Sequence, residues 1–321
     1  MRQTPRRGFA LIAALAVLVL ISVVALELGV RARPRRLAVA ASAERIGATA
    51  AAAAGIEHAR ALLTRLESAA PGRLTREPVH TVDPWGAANG LVIGRGRSGA
   101  YTYRVELHDA YGRLNLNGAS EDQLRRLFLA LHIDARRADR LAQAIADWRD
   151  HDQLRRVNGA ERDDYLRAGA PLLPADDSFD AVSTLRFVLG MNDVLCDSVA
   201  PYLTVTGDGG VNLNAAPRPV LLALPGMTEE SATLLIRTRA AGHRVADLDA
   251  LANALSSGAR QRLRVAMPLL RNIVTFETRE MLVTSEASQP GAVTHVRMDA
   301  VISRNASRNA GGGVVWRRVS R

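Results

Sequence analysis

The chain has 321 residues, 48% of them apolar but only 4% aromatic, so it is long enough for one large or two modest domains with aliphatic cores. Its net charge is +10, yet all 42 basic residues are arginine; this reads as a coding bias and makes the charge weak evidence for nucleic acid. A lone cysteine, Cys196, excludes an intrachain disulfide and a cysteine-cluster metal site.

From Phe9 to Leu26 only Ser22 is not apolar. At 1.5 Å per residue this run spans about 27 Å of helix, close to the hydrocarbon thickness of a bilayer. It is too long for the apolar core of a secretory signal, and no small-x-small cleavage site follows it. A spanning helix over residues 9–28 is expected. Arg2, Arg6 and Arg7 precede the run while Arg31, Arg33, Arg35 and Arg36 follow it, so charge asymmetry does not fix its orientation.

The junction Arg6-Arg7-Gly8-Phe9 resembles the class III leader of type IV pilins and pseudopilins. That resemblance implies a leader over residues 1–8, cut after Gly8 by prepilin peptidase, with Phe9 as the N-methylated first mature residue. Bulk subunits of that class carry Glu at the fifth mature position, where this chain has Ala13. A carboxylate in lipid needs a partner, which in the family is the terminal amine of a neighbouring subunit. A subunit lacking it suits one end of a filament.

Beyond Pro34, residues 37–69 are rich in alanine and repeat Ile56, Ala59, Leu63 and Leu66 at the helical period, and Pro71-Gly72 ends the pattern. The Gly-rich stretch 94–99 reads as a loop. Residues 101–109 alternate Tyr101, Tyr103, Val105 and Leu107 with period two. Similar strands are expected over 272–287, 292–303 and 314–320, forming an antiparallel meander. The sheet is therefore split, one part before about residue 112 and the rest after 271. His108 and His295 fall on strand surfaces.

The intervening stretch is mostly helical and repeats itself. Residues "LNLNGASEDQLRRLF" from Leu114 align with "VNLNAAPRPVLLALP" from Val211, matching Asn117 with Asn214. Both copies read as strand end, turn and helix start. The second continues through Pro225-Gly226 and a further helix near Asp247, and resembles a helix-hairpin-helix module. In DNA-gripping versions the hairpin amides meet phosphate. Here Glu229 and Glu230 occupy that helix start and would repel it.

Residues 146–165 concentrate Asp147, Asp150, Asp152, Glu161, Asp163 and Asp164. Asp147 and Asp150 share a helix face at a helix C-terminus, where negative charge is unfavourable, so a compensating cation is expected. Oxygen donors without His or Cys pairs point to calcium. Asp150, Asp152 and Glu161 stand first, third and twelfth in an EF-hand-like spacing, but Arg155 occupies the place of that loop's glycine. Pairing with Arg149, Arg155, Arg156 and Arg162 is the alternative. The second acidic group, Asp176, Asp177 and Asp180, reads as a helix N-cap. No nucleophile, zinc-protease or phosphate-loop motif occurs, so an enzyme is not expected.

The leader, the split sheet and the helical insertion occur together with "DWRDHDQ", "GAERDDY", "FDAVSTLRFVLGM" and "VNLNAAPRPVLLALPGM". Jointly they resemble the minor pseudopilin K family of the type II secretion system, over nearly the whole chain. The resemblance implies an α+β fold, with a pilin-like long N-terminal helix packed on an antiparallel sheet. A large all-α domain carrying a helix-hairpin-helix or SAM-like module would be inserted. Its units would be the leader 1–8, the span 9–28, the helix and first strands 29–113, the inserted domain 114–270 and the remaining strands 271–321. It implies a single-pass inner-membrane protein with its globular part in the periplasm, and partners among minor pseudopilins I, J and H, prepilin peptidase, the inner-membrane assembly platform and membrane lipid, without nucleic acid. Members bind calcium, which makes Asp150, Asp152, Glu161, Asp163 and Asp164 candidate ligands. A membrane-anchored helix-hairpin-helix protein for DNA binding or uptake is the alternative of another class.

Overall fold

The computed structural model describes residues 7–69, 83–292, 294–304 and 313–320. One helix, α1 (Arg7–Ala69), runs without interruption through Pro34, as the expected long N-terminal helix. One missing backbone N–H is outweighed there by the helical turns on either side. Leader residues 1–6 and the stop at Pro71-Gly72 lie outside the described residues, as do the side chains of Gly8, Phe9 and Ala13. Among the described residues no helix is long and apolar enough to cross a membrane. Of the expected span, side chains are described for residues 14–23, all of them exposed.

The outer half of α1 lies on a five-stranded antiparallel sheet of order β1-β2-β7-β8-β9. Its strands are β1 (Val92–Ser98), β2 (Tyr101–Asp109), β7 (Glu280–Ser288), β8 (His295–Ser303) and β9 (Gly313–Ser320). The expected stripe is the packing face: Ile56, Ala59 and Leu63 are fully buried and Leu66 partly so, with Ala48, Ala51 and Ala52 extending the row. These residues meet Val105, Leu107, Met281, Val283, Met298 and Ala300, the side of each strand turned toward the helix. Small side chains let the helix sit close. At Gly55 an added Cβ would collide with Ser285 Oγ and lie 3.0 Å from Val105 Cγ2.

Two sequence expectations change here. Residues 94–98 belong to strand β1 rather than a loop, with an irregular register between Ile93 and Gly96. An edge strand tolerates such a glycine, and Gly96 gives the Tyr103 ring its space. The strand expected over 272–287 is divided. Residues Asn272 and Ile273 finish a helix, and only Glu280–Ser288 joins the large sheet.

Between β2 and β7 lies the helical domain, with its own core. Its elements in order are β3 (Leu114–Asn115), α2 (Glu121–Ala130), α3 (Ala135–Arg149), α4 (Arg162–Arg167), α5 (Asp193–Val199) and β4 (Leu203–Thr204), then β5 (Val211–Asn212), α6 (Arg218–Ala223), α7 (Glu229–Ala240), α8 (Leu248–Asn253), α9 (Ser257–Ile273) and β6 (Val274–Thr275). The repeat is structural. β3 pairs in parallel with β4, and β5 with β6, closing each half on itself. Helices α2 and α6 pack together across the halves. The aligned asparagines do not cap the helices: Ser120 caps α2 through a capping box with Gln123, and Pro217 precedes α6. Instead each clamps a distant loop. Asn117 accepts from Phe179 N–H at 2.8 Å and donates to its carbonyl at 3.1 Å. Asn214 accepts from Val245 N–H at 2.9 Å and donates to the carbonyls of Val245 and Phe276.

A buried polar network joins the insertion to the sheet. Asp109, the last residue of β2, accepts from Asn212 Nδ2 at 2.7 Å, Thr278 Oγ1 at 2.6 Å and Tyr111 N–H at 2.8 Å. Burial nevertheless pushes its carboxyl up to about 6. Asp83 accepts from Thr278 N–H at 2.7 Å and pairs with Arg244 at 3.1 Å.

The close approach at Gly55 is tested by Gly55→Val. The added branches have nowhere to go between helix and sheet, so the full chain in detergent is expected to lose about 1–3 kcal/mol in chemical unfolding.

Candidate metal centre

The acidic stretch is held in place by aromatic packing. Helix α3 buries Leu141, Ile145 and Trp148. The Trp148 ring stacks on Phe179, with centroids 5.8 Å apart, and meets the edge of Tyr165 at 5.6 Å. Tyr165 on α4 in turn accepts the Leu189 N–H through its hydroxyl at 2.9 Å. The end of α3, the start of α4 and the segment at Phe179 are thus fixed around the loop from Asp150 to Glu161.

Arginines take some of the carboxylates. Asp147, fully buried, accepts from Arg156 Nη1 at 2.6 Å, and the same guanidinium pairs with Asp150 Oδ2 and Glu121. Asp164 receives the Glu161 N–H at 3.0 Å and pairs with Arg167 at 2.7 Å and Arg155 at 3.5 Å. Arg149 donates to the carbonyls of Leu116 and Ala119 rather than to an acid. Asp163 lies exposed in the first turn of α4.

Three carboxylates nevertheless converge, Asp150 keeping one oxygen free of its arginine partner. Asp150, Asp152 and Glu161 each place an oxygen within 4.8 Å of the others. Glu161 is only 5% exposed, and among the described residues neither of its oxygens has a hydrogen-bond partner; Asp150 Oδ1 is likewise buried and unpartnered there. Burial, with the negative fields of Asp147, Asp150, Asp176 and Asp152, pushes the Glu161 carboxyl up to about 7. Such a cluster is strained without a cation, since each unpaired buried charge costs several kcal/mol.

The geometry therefore separates the five expected ligands. Asp150, Asp152 and Glu161 converge, whereas Asp163 points elsewhere and Asp164 is spent on a cap and two ion pairs. It also adds one that the sequence reading assigned otherwise. Asp176 does not cap a helix: the following helical turn, residues 182–187, starts after Ala181 with no side-chain cap. Asp176 instead adopts a positive φ of 50°, holds Gln153 Nε2 at 2.9 Å through Oδ2, and keeps Oδ1 buried without a partner among the described residues. Its carbonyl meets His151 Nδ1 at 2.6 Å. The signal for it was the Asp176-Asp177 pair itself.

The hairpin of the second repeat half shows different contacts. Glu229 pairs with Arg218, and Glu230 accepts from the Ser256 N–H at 2.7 Å and hydroxyl at 2.6 Å. Arg239 turns inward to the Ala216 carbonyl at 2.9 Å. These side chains are used within the fold.

A long helix laid on an antiparallel sheet, with a helical domain inserted between two of its strands, defines a pilin-like subunit of enlarged type. Residues 106–208 match the family described as type II secretion system (T2SS), protein K. The type II secretion system protein K of Pseudomonas aeruginosa is 32% identical over 243 residues, covering 70% of this chain and 71% of that protein. That of Klebsiella pneumoniae is 32% identical over 123 residues, 36% of this chain and 38% of the relative. Among solved structures, a chain of the GspK-GspI-GspJ complex from the type 2 secretion system of enterotoxigenic Escherichia coli has the same fold. Its TM-score is 0.65 at 17% identity, and the match covers 88% of this chain and 99% of that one. The chain belongs to the type II secretion system protein K family.

The raised Glu161 carboxyl has a consequence for stability. Without a cation at the cluster, the folded state binds this proton more tightly than the unfolded chain, whose carboxyl titrates near 4.5. The contribution is therefore intact below about pH 4.5 and is lost as pH rises through 7, by about 3 kcal/mol at most. Urea unfolding in chelator at pH 5 and pH 8 is expected to show this loss, and Glu161→Gln to flatten it.

Proposed function

We propose that the chain is a minor pseudopilin precursor of the bacterial inner membrane. It is anchored by a single span over residues 9–28, with its globular part in the periplasm. Prepilin peptidase cuts after Gly8 and methylates Phe9. The mature subunit joins minor pseudopilins I, J and H at the tip of the pseudopilus, on the inner-membrane assembly platform, and primes its assembly for export of folded proteins. Family membership supports this reading, and the observation that carries it is the architecture of α1. Its outer half is buried on the sheet, while residues 14–23 expose a row of apolar side chains, including Leu18, Val19, Leu20 and Ile21 at 57–64%, as an assembly or membrane face requires. Ala13 in place of Glu removes the carboxylate that would engage a neighbour's terminal amine. The domain at 110–279 adds bulk that would clash with a subunit stacked above it. Both features favour a terminal position.

We further propose that the acidic centre holds calcium, with Asp150, Asp152 and Glu161 as ligands and Asp176 beside them. An all-oxygen donor set with orphaned carboxylate atoms suits a hard divalent ion, which would neutralise the cluster and tie the loop from Asp150 to Glu161 to the segment at Asp176.

Co-expression with a prepilin peptidase followed by intact mass tests the processing. The expected product lacks the first eight residues and gains one methyl group; an unprocessed N-terminus would sink the reading. For the metal, calcium at about 100 times its Kd should stabilise the protein by about 2.7 kcal/mol. Asp150→Ala and Glu161→Ala should abolish that stabilisation, while Asp163→Ala should retain it. An unfolding transition indifferent to chelator would remove the calcium assignment.

A further inference from the structure

The face of the sheet turned away from α1 is only partly covered by the helical domain. Between them lies a cleft of about 530 Å³, within the range of sites that hold a ligand of several residues or a small molecule. Its floor carries Leu282 and Val301 from β7 and β8, and its wall carries Val182, Leu203 and Val205 from the insertion. This is a continuous aliphatic strip between two units of the fold.

The charges in the cleft are unequal in their commitments. Glu106 is taken by Arg104 at 2.8 Å. Asp299 is taken by Arg297 at 3.2 Å and by the Thr284 hydroxyl at 2.7 Å. Burial and the neighbouring Arg113 push the His108 imidazole below its ordinary value, against the opposing pull of Glu106. Asp180 sits exposed at the rim. Arg113 is different. It is half-buried just beyond the end of β2 and lines the cleft, yet among the described residues no hydrogen bond or ion pair within 4 Å engages its guanidinium. Asp299 and Arg297 act on it only through their fields. A guanidinium presents five donors in a planar fork that matches a carboxylate. One removed from bulk water beside an aliphatic strip is complementary to an acid flanked by apolar groups.

We propose that this cleft is a docking site for an extended peptide segment of a partner protein, one that places a carboxylate side chain on Arg113 and an adjacent aliphatic side chain on the Leu282–Val301 strip. The acid supplies the register and the aliphatic side chain the burial, the division of roles seen at interfaces generally. The inference goes beyond leader processing and calcium, and does not depend on either.

The test is isothermal titration of the full chain in detergent micelles with the N-acetylated, C-amidated pentapeptide Ser-Val-Leu-Asp-Ser. Saturable binding is expected, weakened at least about tenfold when the peptide's Asp is replaced by Asn and by a similar factor in Arg113→Gln, as for loss of a charge-assisted pair. Val205→Trp, which fills the cleft from its wall, should abolish binding while leaving the unfolding temperature near that of the parent. If Arg113→Gln fails to fold, the Asp and Asn peptides and Val205→Trp decide the matter. Equal binding of the two peptides, undiminished binding by Val205→Trp, or no binding at millimolar peptide would each overturn the proposal.

Discussion

The pairing of β2 with β7 governs the whole molecule. Its eight-residue register runs from Thr102 opposite Ser288 to Asp109 opposite Met281, yet residues 110–279 intervene in the chain. Closing so long a loop costs entropy that no local contact repays, so the insertion must leave and re-enter the sheet side by side. Asp109 fixes that doorway, because the last side chain of β2 grips Asn212 at the start of the second half and Thr278 at the exit. Asp83 and Arg244 add a second grip from the segment after α1. The helical domain is thus attached by a short polar neck, and the cleft above the sheet is the space that neck leaves open.

The acidic stretch shows how a surplus of charge is sorted by position. Arg156 reaches three acids at once, and Arg155 and Arg167 converge on Asp164. These pairings answer the bland expectation that arginine would neutralise the run. What they leave is not random: among the described residues, Glu161 and one oxygen each of Asp150 and Asp176 stay buried around this loop without a hydrogen-bond partner. Spacing along the chain made Asp163 and Asp164 look equivalent to Glu161. The start of α4 separates them, since residues in its first turn point outward or back onto the helix end.

Periodicity revealed the helix stripe at Ile56, Ala59 and Leu63 and the alternation in β2, because each buries one face against a single neighbour, and it also placed strands where β7, β8 and β9 lie. It misread residues 94–98, where glycine and arginine on an edge strand mimic a loop, and 272–273, where α9 passes directly into a two-residue strand. The repeat at Asn117 and Asn214 was visible, but its purpose was not. A side chain that clamps a loop more than thirty residues away leaves no local pattern. Asp176 was visible only as part of an acidic pair, since its partners Gln153 and His151 meet it through a fold that packing of Trp148, Tyr165 and Phe179 creates.

The paired asparagine clamps bear on how such a domain can diverge. Each half of the insertion closes through its own parallel strand pair and its own clamp, and the halves meet mainly where α2 and α6 pack. One half can therefore carry longer connections without disturbing the other. The first half does so in the acid-rich loop between α3 and α4. The second stays compact, with its hairpin acids tied to Arg218 and Ser256. The two halves share one frame, and only the first carries a long acid-rich connection where charge collects.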